Sequence, residues 1–230
     1  MSLVLVSGFM LDAGLWDDVA GPLSAAGPIV HADLSRDASI RAMAERLLAE
    51  APGRVVLVGF SMGGTVAREA ARIAPARVRG LALVATSARA DTRAQAAAKR
   101  IAVERVEAGP FGGLSRSSIA AALHPDRAGD EGMIARVRAM GLRLGRDAFL
   151  RQSRLERGGD RDRLGAIACP TLVVAAGADR LRSVAESEEL RDGIPGAVLR
   201  VVAESGHMLP IEAPGALTAL LLDWLGALPP

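Results

Sequence analysis

The sequence contains few cysteine, lysine or aromatic residues, and these shortages argue against disulfides, metal sites and nucleic-acid binding. A single cysteine, Cys169, in 230 residues permits no internal disulfide and fits a reducing compartment. That cysteine and three dispersed histidines form no metal-ligand cluster, so we expect neither a metal nor a cofactor. Only Lys99 among 28 basic residues is lysine, and tyrosine is absent. No basic stripe alternates with aromatic residues, which argues against a nucleic-acid partner.

Long hydrophobic runs and targeting signals are absent as well. The apolar N-terminal residues carry no basic cluster of the kind that opens a secretory signal. The apolar run over residues 216–228 is interrupted by Asp223, and it is shorter than the roughly 20 residues that span a bilayer. We therefore predict a soluble, cytoplasmic protein with no membrane partner. The sequence does not predict an oligomeric state.

What the sequence does contain is an alternation of short apolar runs and helical patterns. Half of the residues are hydrophobic, which suffices for the buried core of one domain. Short runs rich in valine and leucine are typical of strands that are buried on both faces of a parallel sheet. The six runs are Leu3–Ser7, Ile29–Ala32, Val55–Val58, Leu81–Ala85, Thr171–Ala175 and Val198–Ala203. With helical spacing over Ile40–Ala51 and Met62–Ala74, they predict an α/β fold of about six mostly parallel strands flanked by helices.

The alternation stops between residues 88 and 165. This stretch has no strand pattern and contains helical patterns such as Thr92–Glu107 and Glu131–Leu144. We predict that residues 88–165 form an inserted helical lid and that residues 1–87 and 166–230 form the core. Sixteen basic and ten acidic side chains give the lid a net charge of +6. Its arginines could attract carboxylates, CoA phosphates or an acidic carrier protein, but solvated helix faces are the simpler interpretation.

The sharpest local signal is the motif Gly59-Phe60-Ser61-Met62-Gly63. An apolar run precedes it and a helical pattern follows it, which is the strand–turn–helix setting of a G-x-S-x-G nucleophile motif. Such a turn exposes the Ser61 hydroxyl and places the Met62 N–H at a helix N-terminus, where an anion is favoured. A glycine-rich turn without catalysis is the alternative interpretation.

A serine nucleophile needs a base and an orienting acid. His207 follows the sixth run and Asp179 the fifth, so both lie at the carboxyl edge of a parallel sheet, where ligands bind. The order Ser61, Asp179, His207 is the one associated with this motif. A helix cap is the alternative role for Asp179. His31, inside a run, and His124, in the predicted lid, fit structural positions better.

These residues resemble the α/β-hydrolase superfamily, and the resemblance covers nearly the whole chain. Ser7-Gly8-Phe9, followed by Trp16, is similar to the oxyanion loop of that family. The resemblance implies an α/β-hydrolase fold in which the Phe9 N–H is an oxyanion donor beside the Met62 N–H. It also implies that Ser61, His207 and Asp179 form a catalytic triad.

The histidine loop of the family has a counterpart in Gly206-His207 followed by Glu212-Ala213-Pro214. The chain departs from the family pattern at three places. Ser7 stands where many members have histidine, and Ala176 stands where glycine is common. The usual N-terminal antiparallel hairpin has no counterpart before the first run.

We predict a serine hydrolase that cleaves a small-molecule carboxylic ester or thioester through an acyl-enzyme. Met10, Met208 and Leu209 adjoin the proposed catalytic residues, and flexible apolar side chains of this kind suit a permissive pocket. Ordinary core packing is the alternative for them.

Several other functions stay open on the sequence alone. Thioesterases, lactonases, C–C bond hydrolases and perhydrolases use the same triad. A ligand receptor that keeps the triad with little turnover, and an enzyme resembling hydroxynitrile lyases, are further alternatives.

Overall fold

A computed structural model describes residues 1–229, and it forms one six-stranded sheet flanked by helices. Pro230, the last residue of the predicted core, lies outside the described residues. The strands are β1 Ser2–Val6, β2 Ile29–Ala32, β3 Val55–Phe60, β4 Val78–Val84, β5 Thr171–Ala176 and β6 Val198–Val202. Their spatial order is β2-β1-β3-β4-β5-β6, and every neighbouring pair is parallel. The predicted fold class is confirmed, and the strand ends differ from the predicted ones by a few residues.

The helices cover both faces of the sheet and the connection between β4 and β5. They are α1 Asp17–Leu23, α2 Ile40–Glu50, α3 Met62–Ile73, α4 Arg93–Ala108, α5 Arg116–Ala122, α6 Glu131–Ser153, α7 Val184–Gly193, α8 Leu209–Glu212 and α9 Pro214–Gly226. Within residues 1–229, none of these helices has both the length and the apolarity to cross a membrane.

The central strands place alternate side chains in two separate hydrophobic layers. Leu3 and Leu5 of β1 face the layer formed with α1 and α9, whereas Val4 and Val6 face the layer formed with α2, α3 and α7. All four are fully buried, and each contributes about 1.5–3 kcal/mol through burial. At the sheet edge, Val201 of β6 is 49% exposed, because no strand covers it on one side. The continuous apolar runs therefore mark central strands.

The segment between β4 and β5, residues 88–165, forms helices α4, α5 and α6 and no strand. Each helix begins after a side chain that accepts a backbone hydrogen bond from its first turn, namely Thr92, Ser115 and Asp130. The helical pattern predicted over Glu131–Leu144 ends where α6 is broken, at Gly145, which has a φ of +80°. A non-glycine side chain would be strained there.

Several ion pairs fasten this segment to the core, and two of them are paired hydrogen bonds from an arginine to an aspartate. Arg68, fully buried on α3, donates to both carboxylate oxygens of Asp160 at 2.9 Å. Arg143 on α6 donates to both carboxylate oxygens of Asp12, which follows β1. The segment is thus attached beside the carboxyl edge of the sheet.

Candidate active site

Ser61 lies on a tight turn between β3 and α3, with φ of +51° and ψ of −117°. A positive φ is unfavourable for a residue with a side chain, so neighbouring contacts must hold it. The Ser61 N–H donates to the Val84 carbonyl at 2.9 Å, and the Thr86 hydroxyl donates to the Ser61 carbonyl at 2.6 Å. The turn is therefore fixed from the neighbouring strand β4 and the residues that follow it.

The glycines of the motif allow helix α3 to approach the sheet closely. A Cβ atom on Gly63 would lie 2.2 Å from the Val6 carbonyl oxygen, and one on Gly59 would lie 2.7 Å from Gly63 and Gly64 backbone atoms. Neither contact is possible for real atoms. The motif thus needs glycine at both positions for packing, independently of its chemistry.

The structure brings Ser61, His207 and Asp179 together in one hydrogen-bonded chain. Ser61 Oγ lies 3.0 Å from His207 Nε2, and His207 Nδ1 lies 2.7 Å from Asp179 Oδ2. These distances are those of a nucleophile bonded to a base and of a base bonded to its orienting acid.

The parallel sheet explains why residues so distant in sequence meet. Ser61 follows β3, and Asp179 and His207 follow β5 and β6, so all three loops emerge at the carboxyl edge. The loops after β5 and β6 are also joined directly. The Gly177 N–H donates to the Val202 carbonyl at 2.8 Å, and the Ala178 N–H donates to the Ser205 carbonyl at 2.9 Å.

The Asp179 carboxylate is shielded from water and held by the backbone. Its side chain is fully buried, and Oδ1 accepts hydrogen bonds from the Leu181 and Arg182 N–H groups at 2.7 and 2.9 Å. Oδ2 is left for His207, whose ring packs against Phe60 with 5.0 Å between ring centroids. The carboxylate is thus oriented toward the imidazole before any ligand binds.

The predicted oxyanion donors, Phe9 and Met62, lie in the lining of the same cavity as Ser61. Met62 is the first residue of α3, and Phe9 lies in the loop after β1. Within residues 1–229, neither backbone N–H donates to a protein acceptor.

Two side chains, Gln152 and Ser7, hold the loop after β1 in place through hydrogen bonds. The Met10 N–H donates at 2.8 Å to Gln152 Oε1, and Gln152 Nε2 donates at 3.1 Å to the Leu34 carbonyl. The Trp16 indole donates to Ser7 Oγ at 3.0 Å, and that hydroxyl donates to the Asp12 carbonyl at 2.9 Å. Ser7 thus fixes the loop by its own hydrogen bonds at the place where many family members have histidine.

The candidate site opens into a cavity of about 480 Å³ between the sheet edge and helices α4, α5 and α6. This volume is in the usual range for small-molecule sites. Ser61, His207 and the predicted pocket residue Met208 line it. The other two predicted pocket residues do not. Both are fully buried in hydrophobic clusters: Met10 packs with residues of α4 and α6 such as Val106 and Phe149, and Leu209 packs in the layer formed with α1 and α9.

The remaining histidines, His31 and His124, are not part of the hydrogen-bonded chain of Ser61, His207 and Asp179. His31 is on the edge strand β2 and is exposed. His124 caps a short 3₁₀ helix through Nδ1, and its N–H donates to Glu212 Oε2 at 2.7 Å. The other oxygen of Glu212 accepts from the Met208 N–H at 3.1 Å. Glu212 therefore links the inserted segment to the histidine loop.

Sequence reasoning missed Gln152 and a set of cations in the cavity wall. Gln152 is 2% exposed, but it lies in an arginine-rich helix with no motif around it, so no sequence signal identified it. Lys99, Arg157 and Arg182 also line the cavity. The basic composition of residues 88–165 indicated Lys99 and Arg157 only as members of an arginine-rich stretch, and Arg182 lies outside that stretch.

Comparison with known proteins gives the same fold. The sequence model described as "Alpha/beta hydrolase family" matches residues 3–220. A thermophilic esterase from Thermogutta terrifontis, solved with malate bound, is 28% identical with a TM-score of 0.86, covering 98% of this chain and 89% of that one. An enol-lactonase from Burkholderia xenovorans LB400 is 19% identical with a TM-score of 0.83, covering 98% and 91%, and it supports the fold alone.

Curated relatives match over a shorter region. The pimeloyl-[acyl-carrier protein] methyl ester esterase of Edwardsiella ictaluri is 39% identical over 93 residues, which is 37% of this chain and 36% of that protein. The enzyme with this name from Nitrosomonas europaea is 38% identical over 93 residues, 37% of each protein. This chain therefore matches little more than a third of the length of these relatives.

Proposed function

The chain belongs to the alpha/beta hydrolase family, and on this basis we propose that it is a serine hydrolase that cleaves carboxylic esters. The observation that carries the proposal is the hydrogen-bonded chain from Ser61 through His207 to Asp179, open to a cavity of about 480 Å³. The esterases among its relatives support the same reaction class.

In the proposed reaction, His207 takes the proton from Ser61 while Oγ attacks the carbonyl carbon of the ester. Asp179 keeps the imidazole in the tautomer that carries hydrogen on Nδ1 and stabilises its positive charge. The tetrahedral intermediate then breaks its bond to the alcohol, which takes the proton from His207. Water attacks the resulting acyl-enzyme with His207 as base. The second tetrahedral intermediate breaks its bond to Ser61 Oγ, which takes the proton back from His207, and the acid leaves.

The negative oxygen of both tetrahedral intermediates binds the Phe9 and Met62 N–H groups. Loss of one such donor typically costs about 3 kcal/mol of transition-state stabilisation. Residues 88–165 act as a lid that bounds the cavity, and mostly apolar side chains around Ser61 receive the acyl chain or the alcohol.

A series of p-nitrophenyl esters from acetate to dodecanoate tests this function. We expect many turnovers per protein, with an optimum of chain length set by the cavity. A fluorophosphonate should block turnover and add its mass to the peptide that contains Ser61. Release of no more than one equivalent of nitrophenol by folded protein would instead support a ligand receptor. Label on a different residue would refute the assigned nucleophile.

A narrower candidate is cleavage of a methyl ester from a chain bound to an acyl carrier protein. The names of the curated relatives and the net charge of +6 on residues 88–165 favour it. Faster hydrolysis of a methyl ester on an acyl carrier protein than of the free methyl ester would support this candidate, and equal rates would exclude it.

Gln152 provides a prediction about the loop of Phe9. Gln152→Leu removes the acceptor of the Met10 N–H and the donor to the Leu34 carbonyl. We expect kcat to fall by about 10- to 100-fold with little change in KM, because a displaced donor loop weakens transition-state binding. Gln152→Glu keeps an acceptor for Met10 but loses the donor to the Leu34 carbonyl, so it should restore kcat only in part. If both variants lose kcat equally and both unfold at a lower temperature than the wild type, Gln152 has only a packing role.

A further inference from the structure

The wall of the cavity beside Ser61 carries positive charge without acidic neighbours in its lining. Lys99 and Arg105 from α4, Arg157 after α6 and Arg182 after β5 all line it. Within residues 1–229, no aspartate or glutamate belongs to this lining. The charged side chains that an ester contacts in this cavity are therefore all positive.

Two of these cations, Lys99 and Arg157, share the carboxylate of Asp91, and the third, Arg182, lies beside Glu186. Lys99 Nζ donates to Asp91, and Arg157 Nη2 lies 3.1 Å from the other oxygen of Asp91. Arg182 is 3.7 Å from Glu186, which is beyond hydrogen-bond distance. The other oxygen of Glu186, Oε2, accepts from the Ser183 N–H at 2.7 Å as part of a helix cap, so the three cations face two carboxylates. The cluster therefore holds more positive than negative charge.

This arrangement is unfavourable without a further anion. The three side chains are only 17–22% exposed, so water screens their repulsion incompletely. Burial lowers the pKa of Lys99, and the charges of Arg157 and Arg182 lower it further against the opposing effect of Asp91. Burial also lowers the pKa of Arg157, with Arg182 acting in the same direction. A carboxylate in addition to those of Asp91 and Glu186 would relieve this repulsion.

We propose that Lys99, Arg157 and Arg182 form a carboxylate-binding subsite, and that the enzyme acts on esters that carry a free carboxylate, such as half-esters of aliphatic dicarboxylic acids. The proposal rests on the proposed ester hydrolysis at Ser61. Guanidinium groups bind carboxylates through paired hydrogen bonds, and the ammonium group adds a donor. The subsite thus anchors one end of the substrate while the ester reaches Ser61.

Matched pairs of substrates test the subsite directly. Monoethyl esters of dicarboxylic acids from succinate to suberate are compared with ethyl butanoate to ethyl octanoate, in which a methyl group replaces the carboxylate. We expect the wild type to favour the half-ester by tenfold or more in kcat/KM at one chain length. The free dicarboxylate of that length should inhibit competitively.

Variants of the cluster should change this preference. Lys99→Gln or Arg182→Gln is expected to lower the ratio of kcat/KM for half-ester to neutral ester about tenfold, mainly through KM. Arg100→Gln is the matched control, because it removes a charge from the next residue of α4, which is exposed and does not line the cavity. Its ratio should equal that of the wild type.

The possible outcomes distinguish failure of the carboxylate subsite from failure of the proposed ester hydrolysis on which it rests. If neutral esters are hydrolysed at least as fast as half-esters and Ser61 is labelled, the subsite is overturned and the hydrolase function stands. Competition by coenzyme A but not by any dicarboxylate overturns the assignment of a carboxylate. Absence of turnover with every neutral and anionic ester, and of Ser61 labelling, refutes the hydrolase function itself.

Discussion

Ser61→Ala is expected to lower kcat for p-nitrophenyl esters by about 10⁴- to 10⁶-fold, because it removes the atom that forms the acyl-enzyme. The fold should tolerate the change. Alanine is smaller than serine, and Ala85 in this chain already has a positive φ of +47°. The backbone bonds from Ser61 to Val84 and from Thr86 do not use the hydroxyl. Circular dichroism and the unfolding midpoint should therefore stay near the wild-type values.

Ser118→Ala is the matched control for this experiment. Ser118 lines the same cavity but is exposed, and within residues 1–229 its hydroxyl bonds only to that of Ser115. Its removal should change kcat/KM by less than about threefold. A Ser61→Ala protein that kept a tenth of the wild-type rate would show that the reaction uses another nucleophile.

Further variants test whether the three residues act as a unit. Asp179→Asn should cost about 10⁴-fold in kcat, because an amide favours the wrong imidazole tautomer. Combined with Ser61→Ala, it should cost no more than Ser61→Ala alone, since the base has no proton to accept. An additive loss in the double variant would contradict a shared mechanism.

The sequence predicted the sheet well because burial leaves a direct pattern in the residues. A central strand such as β3 is buried on both faces, so Val55 to Phe60 is apolar throughout. The Ser61 motif was equally clear, because its glycines satisfy a packing need that few other residues meet. Asp179 and His207 followed from a general property, since the loops after parallel strands emerge at one edge.

The cavity wall was harder to predict because the position of an inserted segment depends on contacts distant in sequence. Met10 follows Phe9 in sequence, yet its side chain is buried against α4 and α6, and its N–H holds the loop through Gln152. Gln152 reaches that N–H from 142 residues away. No local pattern records such a pairing. The same limit applied to Lys99 and Arg182, whose convergence depends on how α4 sits over the sheet.

Asp160→Asn is expected to reduce the free energy of unfolding at pH 7 by about 3–5 kcal/mol, because it leaves the buried Arg68 charge without its partner. Asp160 accepts two hydrogen bonds from Arg68 and one from Arg72, all at 2.9 Å. Within residues 1–229, Arg68 Nη1 has no hydrogen-bond partner, so the remaining contacts cannot compensate. Asp162→Asn is the control, since Asp162 is exposed and two residues away.

The effect of Asp160 should depend on pH in a defined direction. Burial alone would raise the pKa of Asp160, but the hydrogen bonds and charges of Arg68 and Arg72 outweigh burial and lower it. A lowered pKa in the folded state means that the carboxylate stabilises the protein above the unfolded pKa of about 3.9, and that this stabilisation is lost as pH falls through the folded pKa. Urea unfolding followed by tryptophan fluorescence should thus show a constant gap between wild type and Asp160→Asn from pH 7 to 5. The gap should shrink below pH 4, and a gap unchanged at pH 3 would contradict the ionised pair.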